Sequence, residues 1–427
     1  MRLILENARL LDGDNPPRPA TLVIAGERIE AIVENGQAEA RPGDRIVPLG
    51  GRTVMPGMIL GHYHASYKDL GSVRAPFGLD APPALQAVRA AANLRLAVEC
   101  GITGVISAGA PFGIDSAMKV AIAEGTIIGP RIMACGRDVS ATGHSNDLSF
   151  PSYWQIGAMG GINLCDGPDA FRRAVREEIK DGAEIVKVFA TGGHGVPTPS
   201  AVWSVSPDEL EMVIRTAKER GARVRAHLAN RDAIMLALDL GIHIVDHGDG
   251  FDEACISRCV EKGAYLAPSM LFPKVIMEKA PETPYAKAMV REFEAMAKIL
   301  PRANAAGVKI LIGDDYGVMG FEHGRYAEEL ALYVNHIGIS PLDVIRWATR
   351  NGAEAMGLAA DTGTLSPGKL ADFIVVDGDP VGDITILQNR DCLLAIFKGG
   401  VAVKDKLDSL IGGGKAAQKP ALHGVVA

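Results

Sequence analysis

The residues best suited to chemistry in this 427-residue chain are histidines, a lysine and aspartates that interrupt apolar runs. Gly61-His62-Tyr63-His64 closes one such run, apolar from Val54 to Leu60 except for a Pro-Gly pair. A run of this kind suits a buried strand. On a strand, residues i and i+2 share a face, so His62 and His64 project together. Two imidazoles side by side at the end of a buried strand are half of a metal site. A lone His-x-His is equally at home on a surface, and recurrence downstream is what decides. Lys187 interrupts Glu184-Ile-Val-Lys-Val-Phe-Ala, His227 interrupts Arg223-Val-Arg-Ala-His-Leu, and His247 interrupts His243-Ile-Val-Asp-His-Gly. Asp314 and Asp315 close Lys309-Ile-Leu-Ile-Gly-Asp-Asp. A single histidine in a buried run is usually a hydrogen-bonded core residue. A whole set near the carboxyl ends of separate runs is a constellation, because buried charges must be paired or bound to metal.

The elements that position these groups follow from the pattern between residues 53 and 360. Eight strand-like runs begin near Met58, Thr103, Arg131, Glu184, Arg223, His243, Ala264 and Lys309. Amphipathic segments such as Ser206 to Arg220 and Asp232 to Leu240 lie between several of them, the signature of parallel βα units. The expected fold is therefore α/β: a (β/α)8 TIM barrel with its active site at the carboxyl ends of the strands. Short strand-like stretches at both termini, among them Arg2 to Leu11 and Asp372 to Asp377, are each too small to stand alone. They are expected to pair into a small β-sandwich domain built from both chain ends. This gives 1–52 and 361–405 as the two parts of that domain, 53–360 as the barrel and 406–427 as a tail.

Composition narrows the function classes. At 48% hydrophobic the chain can bury a barrel-sized core. A net charge of -7 with no basic run argues against nucleic acid, and 5% aromatics gives few stacking platforms. The N-terminal stretch has no apolar signal core, and no run approaches spanning length. The six cysteines lack paired spacing; Cys255 and Cys259 are one helical turn apart with no partner pair. A cytoplasmic enzyme with free thiols, acting on a small molecule as a homo-oligomer, is expected.

Five motifs in order, Pro56-Gly-Met-Ile-Leu-Gly-His-Tyr-His, Ile185-Val-Lys-Val-Phe-Ala-Thr-Gly-Gly, Ala226-His-Leu, Val245-Asp-His-Gly and Ile312-Gly-Asp-Asp, resemble those of the amidohydrolase superfamily. The tail Gly363-Thr-Leu-Ser-Pro-Gly-Lys-Leu-Ala-Asp-Phe-Ile-Val-Val-Asp-Gly-Asp-Pro resembles it too. Thr126-Ile-Ile-Gly-Pro-Arg-Ile and Ala141-Thr-Gly-His-Ser are similar to the imidazolonepropionase-like branch, with its prolidase-type and ochratoxin-degrading members. The resemblance implies that His62 and His64 bind a more buried metal and that His227 and His247 bind a second. It implies that Lys187 is carboxylated and bridges the two. It implies that Asp315 holds metal and takes the proton from its water. Two zinc ions and cleavage of a C–N amide bond by metal-bound hydroxide are then expected. A lactone or urea hydrolase, a deaminase-type reaction or a non-enzymatic assembly role are the alternatives. The lysine argues against a deaminase, and the complete ligand set argues against an assembly protein.

Two departures from the family pattern stand out. Asp314 replaces the usual Thr before the eighth-strand Asp, leaving two adjacent carboxylates on opposite strand faces; alignment favours Asp315 as the base with Asp314 the second choice, and the plain alternative for Asp314 is a cap or ion-pair partner behind the wall. Gly61 replaces an Asp common before the first ligand histidine. His144 in Thr142-Gly-His-Ser, His194 in Gly192-Gly-His-Gly and His323 in Phe321-Glu-His-Gly are the expected substrate contacts, because flanking glycine permits close approach. Tyr153 and Trp203 either line the pocket or pack.

Overall fold

The computed structural model describes residues 2–70, 81–144, 147, 160–196 and 198–411. Tyr153 lies outside them. Five strands open the chain: β1 (Arg2–Leu10), β2 (Arg18–Ala25), β3 (Arg28–Val33), β4 (Arg45–Pro48) and β5 (Thr53–Pro56). Ten more follow between residues 58 and 310. These are β6 (Met58–Tyr63), β7 (Ile102–Ser107), β8 (Arg131–Met133), β9 (Asp138–Ser140) and β10 (Ile162–Leu164), then β11 (Ile185–Phe189), β12 (Arg223–Leu228), β13 (Ile244–His247), β14 (Tyr265–Ala267) and β15 (Lys309–Ile310). The chain closes on β16 (Phe373–Val376), β17 (Leu393–Lys398) and β18 (Val401–Asp405).

The first and last groups share one sheet, in the order β18-β17-β16-β5-β1-β2-β3, with β4 beside β1. The join is β5 against β16, antiparallel, with Pro56 opposite Phe373 and Thr53 opposite Val376. Alternation buries Leu22, Val54, Phe373 and Phe397 in a core separate from the larger one, and the Phe373 and Phe397 rings stack at 4.7 Å.

The middle strands are parallel. β6, β7 and β8 form one sheet, and β10-β9-β11-β12-β13-β14-β15 form the other. Backbone bonds run between them at both seams: Gly61 N donates to Ile312 O at 2.5 Å, and Ile185 N to Ala134 O at 3.2 Å. β8 is the first half of the strand expected from Arg131 to Gly136; the chain turns at Gly136, with a left-handed φ of 76°, and β9, which was not expected, follows it. Helices fill the intervals with ordinary end signals. Pro207–Glu219 begins with a Ser206/Glu209 capping box, Arg231–Leu240 is capped by Asn230, and Glu253–Lys262 by Asp252. The parallel layout therefore carries all the carboxyl ends of these strands to one side. Among the described residues, no helix is long and apolar enough to cross a membrane.

Candidate metal centre

β6 brings His62 and His64 to the carboxyl side of the sheet, and the segment after β15 brings Asp315 beside them. His62 Nε2 lies 3.2 Å from His64 Nε2 and 3.1 Å from Asp315 Oδ1; His64 Nε2 lies 3.3 Å from the same oxygen. The two rings face other partners with their second nitrogens. His64 Nδ1 is 3.0 Å from Gly109 O, and His62 Nδ1 is 3.3 Å from Asp246 Oδ1. Gly109 O can only accept, which puts the His64 ring proton on Nδ1 and leaves its Nε2 bare; His62 Nδ1 also meets Arg225 Nη2 at 3.2 Å, and a cation on His62 Nε2 would put the ring proton on the Nδ1 side, toward Asp246.

Bare nitrogens and a carboxylate oxygen repel one another at this range unless a cation lies among them. The separations also suit zinc: bonds of about 2.0–2.1 Å in a tetrahedron set its ligand atoms roughly 3.3 Å apart. His247 joins the group, since His62, His247 and Asp315 each offer a ligand atom within 4.8 Å of the others. Its Nδ1 is buried with no hydrogen-bond partner. The residues present therefore fit a divalent metal.

The electrostatics agree. Burial lowers the pKa of His62 and drives those of His227 and His247 well below the ordinary value, which favours the neutral rings a metal would need.

His247 reaches the site by an unusual route. Alternation along β13 sends Asp246 and His247 to opposite faces, yet both point inward because His247 adopts a left-handed φ of 67°. His194 and Ser269 nearby are also left-handed, at 41° and 51°. Such conformations cost roughly 1–3 kcal/mol each and cluster at functional sites. The His194 ring stacks on His247 at 3.8 Å, and His227 meets His247 at 4.5 Å.

Two expected ligands border the group but are engaged elsewhere. His227 Nε2 lies 3.0 Å from Gly193 O, and Lys187 Nζ donates to Asp246 Oδ2 at 2.6 Å. Asp314 is turned away from the histidines. Its Oδ2 accepts Leu271 N at 2.7 Å and Phe272 N at 3.1 Å, where the helix Leu271–Lys279 begins. Gly61 leaves no room for the Asp of the family pattern: a Cβ there would lie 2.6 Å from Leu311 Cβ.

The three other histidines are spread around this centre. His194 Nδ1 contacts Asp249 Oδ1 at 2.9 Å. Burial pulls its pKa down, but Asp249 outweighs this and raises it to about 9. His144 is buried, and neither of its ring nitrogens has a partner among the described residues. His323 packs on Tyr63 at 5.3 Å and contacts Tyr326 OH at 3.2 Å, on the side of β6 opposite His62 and His64. Trp203 is half-buried and packs against the main core.

Sequence reasoning missed Arg225, Asp246 and Asp249. Arg225 carried a signal, a charge two residues before His227 on the same strand face. Asp246 carried none that alternation would assign to the interior.

Residues 53–403 match the Amidohydrolase family. The chain belongs to that family. This amidohydrolase is 30% identical to ochratoxinase from Aspergillus niger over 420 residues, covering 92% of this chain and 85% of that protein. The crystal structure of A. niger ochratoxinase superposes with a TM-score of 0.84 at 26% identity, covering 95% of this chain and 96% of that one. A prolidase complexed with N-methylphosphonate-L-proline gives 0.84 at 28% identity, covering 95% and 100%. Over 214 residues the amidohydrolase is also 26% identical to an imidazolonepropionase from Symbiobacterium thermophilum, covering 49% and 46%. Family membership sets the reaction class as hydrolysis at carbon–nitrogen bonds.

Proposed function

We propose that this amidohydrolase is a binuclear zinc enzyme cleaving the C–N bond of peptide-like, N-acyl amino acid or aryl amide substrates. The observation that carries this reading is the convergence of His62 Nε2, His64 Nε2 and Asp315 Oδ1 within 3.1–3.3 Å with both Nδ1 atoms spoken for. In this reading His62, His64 and Asp315 would hold one ion, His227 and His247 the other, and Lys187 would serve both as a carbamate. The Lys187 ammonium first gives up one proton to solvent, the Nζ lone pair adds to the carbon of carbon dioxide, one C–O π pair becomes carboxylate charge, and a second N–H proton leaves to solvent.

The metals supply Lewis acidity and a water acidified enough to attack a carbonyl near neutral pH. Asp315 does the proton work: it accepts the proton of that water and passes it to the leaving nitrogen. His144 and His194 each keep a buried ring nitrogen without a partner among the described residues, and they are the proposed substrate contacts; His323, packed on Tyr63 and Tyr326 across β6, is not carried forward as one. His194 is fixed by Asp249. The seam bonds Gly61–Ile312 and Ile185–Ala134 support a closed (β/α)8 barrel over 53–360 as the scaffold, with 1–52 and 361–405 forming the second domain. All six cysteines are free, which supports a reducing compartment such as the cytoplasm.

The test is a panel on zinc-loaded protein: N-acyl amino acids, dipeptides, aryl amides, aryl ureas and lactones. Release of amine from one of the amide classes is expected. Turnover confined to ureas or lactones would overturn the amide reading.

A further inference from the structure

Beneath the candidate metal centre lies a fully buried ionic cluster. Arg225 is 0% exposed and Asp246 is 0% exposed. Arg225 Nε donates to Asp246 Oδ2 at 3.0 Å, and Arg225 Nη2 to Asp246 Oδ1 at 2.5 Å. The guanidinium is itself anchored, with Nη1 on Ser107 O at 2.9 Å. Asp246 is therefore locked in direction by a bidentate pair.

A carboxylate presents about four lone-pair positions, and Arg225 takes only two. The other two contacts go to residues of the metal centre: Lys187 Nζ at 2.6 Å and His62 Nδ1 at 3.3 Å. We infer that Asp246, braced by Arg225, is a positioning residue that fixes the directions of His62 and Lys187. The inference rests on the metal reading given above. His62 Nδ1 sits against both members of the pair, 3.3 Å from Asp246 Oδ1 and 3.2 Å from Arg225 Nη2, so the pair sets the ring's direction, and with a cation on Nε2 the Nδ1 proton would go to Asp246; metal-binding histidines characteristically have such a partner.

The Lys187 contact fits the carbamate equally well. After carboxylation Nζ keeps one N–H, which donates to the same oxygen and aims the new carboxylate away from Asp246. Charge follows the same logic. With Lys187 as ammonium, the trio Lys187, Arg225 and Asp246 sums to +1 beside a cation site. Carboxylation turns that sum to -1, which attracts the ions. If Asp246 served only to neutralise Arg225, neither contact to the metal residues would be required.

The experiment compares wild type, Asp246→Asn and the double variant Arg225→Met/Asp246→Asn as full-length chains. An asparagine cannot accept from both Lys187 and His62, because one face of its amide carries N–H groups. The double variant removes the buried ion pair as a unit, a change often tolerated by stability. Zinc affinity is read by competition with a chromophoric chelator, and the carbamate by 13C NMR under labelled bicarbonate. Melting of the metal-free proteins reads folding.

Expected is a roughly ten- to hundredfold loss of zinc affinity in both variants, loss of the carbamate resonance, and a metal-free melting point for the double variant near that of wild type. A folded double variant with wild-type zinc affinity and carbamate signal would overturn the inference and leave the metal reading standing. A wild-type chain that binds no zinc would overturn both. If Asp246→Asn alone fails to fold, the double variant decides.

Discussion

His62 Nε2 and His64 Nε2 face each other at 3.2 Å while the Nδ1 atom of each ring is turned to an acceptor. With Asp315 Oδ1 beside both, these two nitrogens make up a candidate cation site. The packing of β6 and of the segment after β15 maintains it, and each prediction below perturbs one part of that arrangement.

Adjacent aspartates should separate into two roles. Asp315→Asn is expected to lower turnover about a hundredfold or more, the contribution of a placed general base, with the fold retained. Asp314→Asn sets an amide N–H group against the backbone N–H donors of Leu271 and Phe272. It should cost about 1–3 kcal/mol of stability and affect the chemical step far less. Turnover and melting of both variants check this, and a dead Asp314 variant beside an active Asp315 variant would reverse the roles.

Lys187→Ala should lose bound metal and activity together. Short carboxylic acids supplied with bicarbonate should restore part of both by occupying the vacated bridge. Normal metal content and turnover in the variant would remove Lys187 from the centre.

Gly313→Ala tests the closeness of the two strands that carry His62 and Asp315. Gly313 has φ 130°, and a Cβ there would lie 2.4 Å from His62 N and 2.6 Å from His62 O. Neither backbone atom can move without shifting the ligand set. The variant should lose a few kcal/mol of stability, about 1–3 from overpacking alone, and bind metal more weakly. Wild-type melting and metal content would contradict this spacing.

Glu329 predicts a pH effect on stability. Burial raises its pKa from the ordinary 4.5 to about 7, although Tyr333, Gly313 and Tyr316 hydrogen-bond the carboxylate. A raised folded-state pKa means that its stabilising contribution is complete below pH 4.5 and is lost as pH rises through about 7. Glu329→Gln cannot ionise, so its melting point should fall less than that of wild type across this window. The difference is roughly 3 kcal/mol at most. Parallel melting curves for the two proteins would show that Glu329 does not titrate there.

Much of the site was legible because its residues are polar in runs that are otherwise apolar. His62, His64 and Asp315 stand out for that reason, and strand spacing alone puts the two histidines on one face. The position of Asp246 was not legible. Period-two alternation would place it opposite His247, and only the left-handed turn at His247 brings both inward. Nor could the sequence show that Asp314 caps the helix at Leu271, because that contact joins segments 43 residues apart. The break between β8 and β9 depends on one glycine conformation at Gly136. Local backbone choices of this kind leave almost no trace in composition or periodicity.

The central claim is that this chain holds divalent metal in the group formed by His62, His64, Lys187, His227, His247 and Asp315. Elemental analysis of the protein purified without chelator tests it most directly, paired with activity before and after chelation. About two divalent ions per chain, predominantly zinc, are predicted, with activity lost on chelation and restored by zinc. Less than half an equivalent of metal, with activity untouched by chelator, would contradict the account.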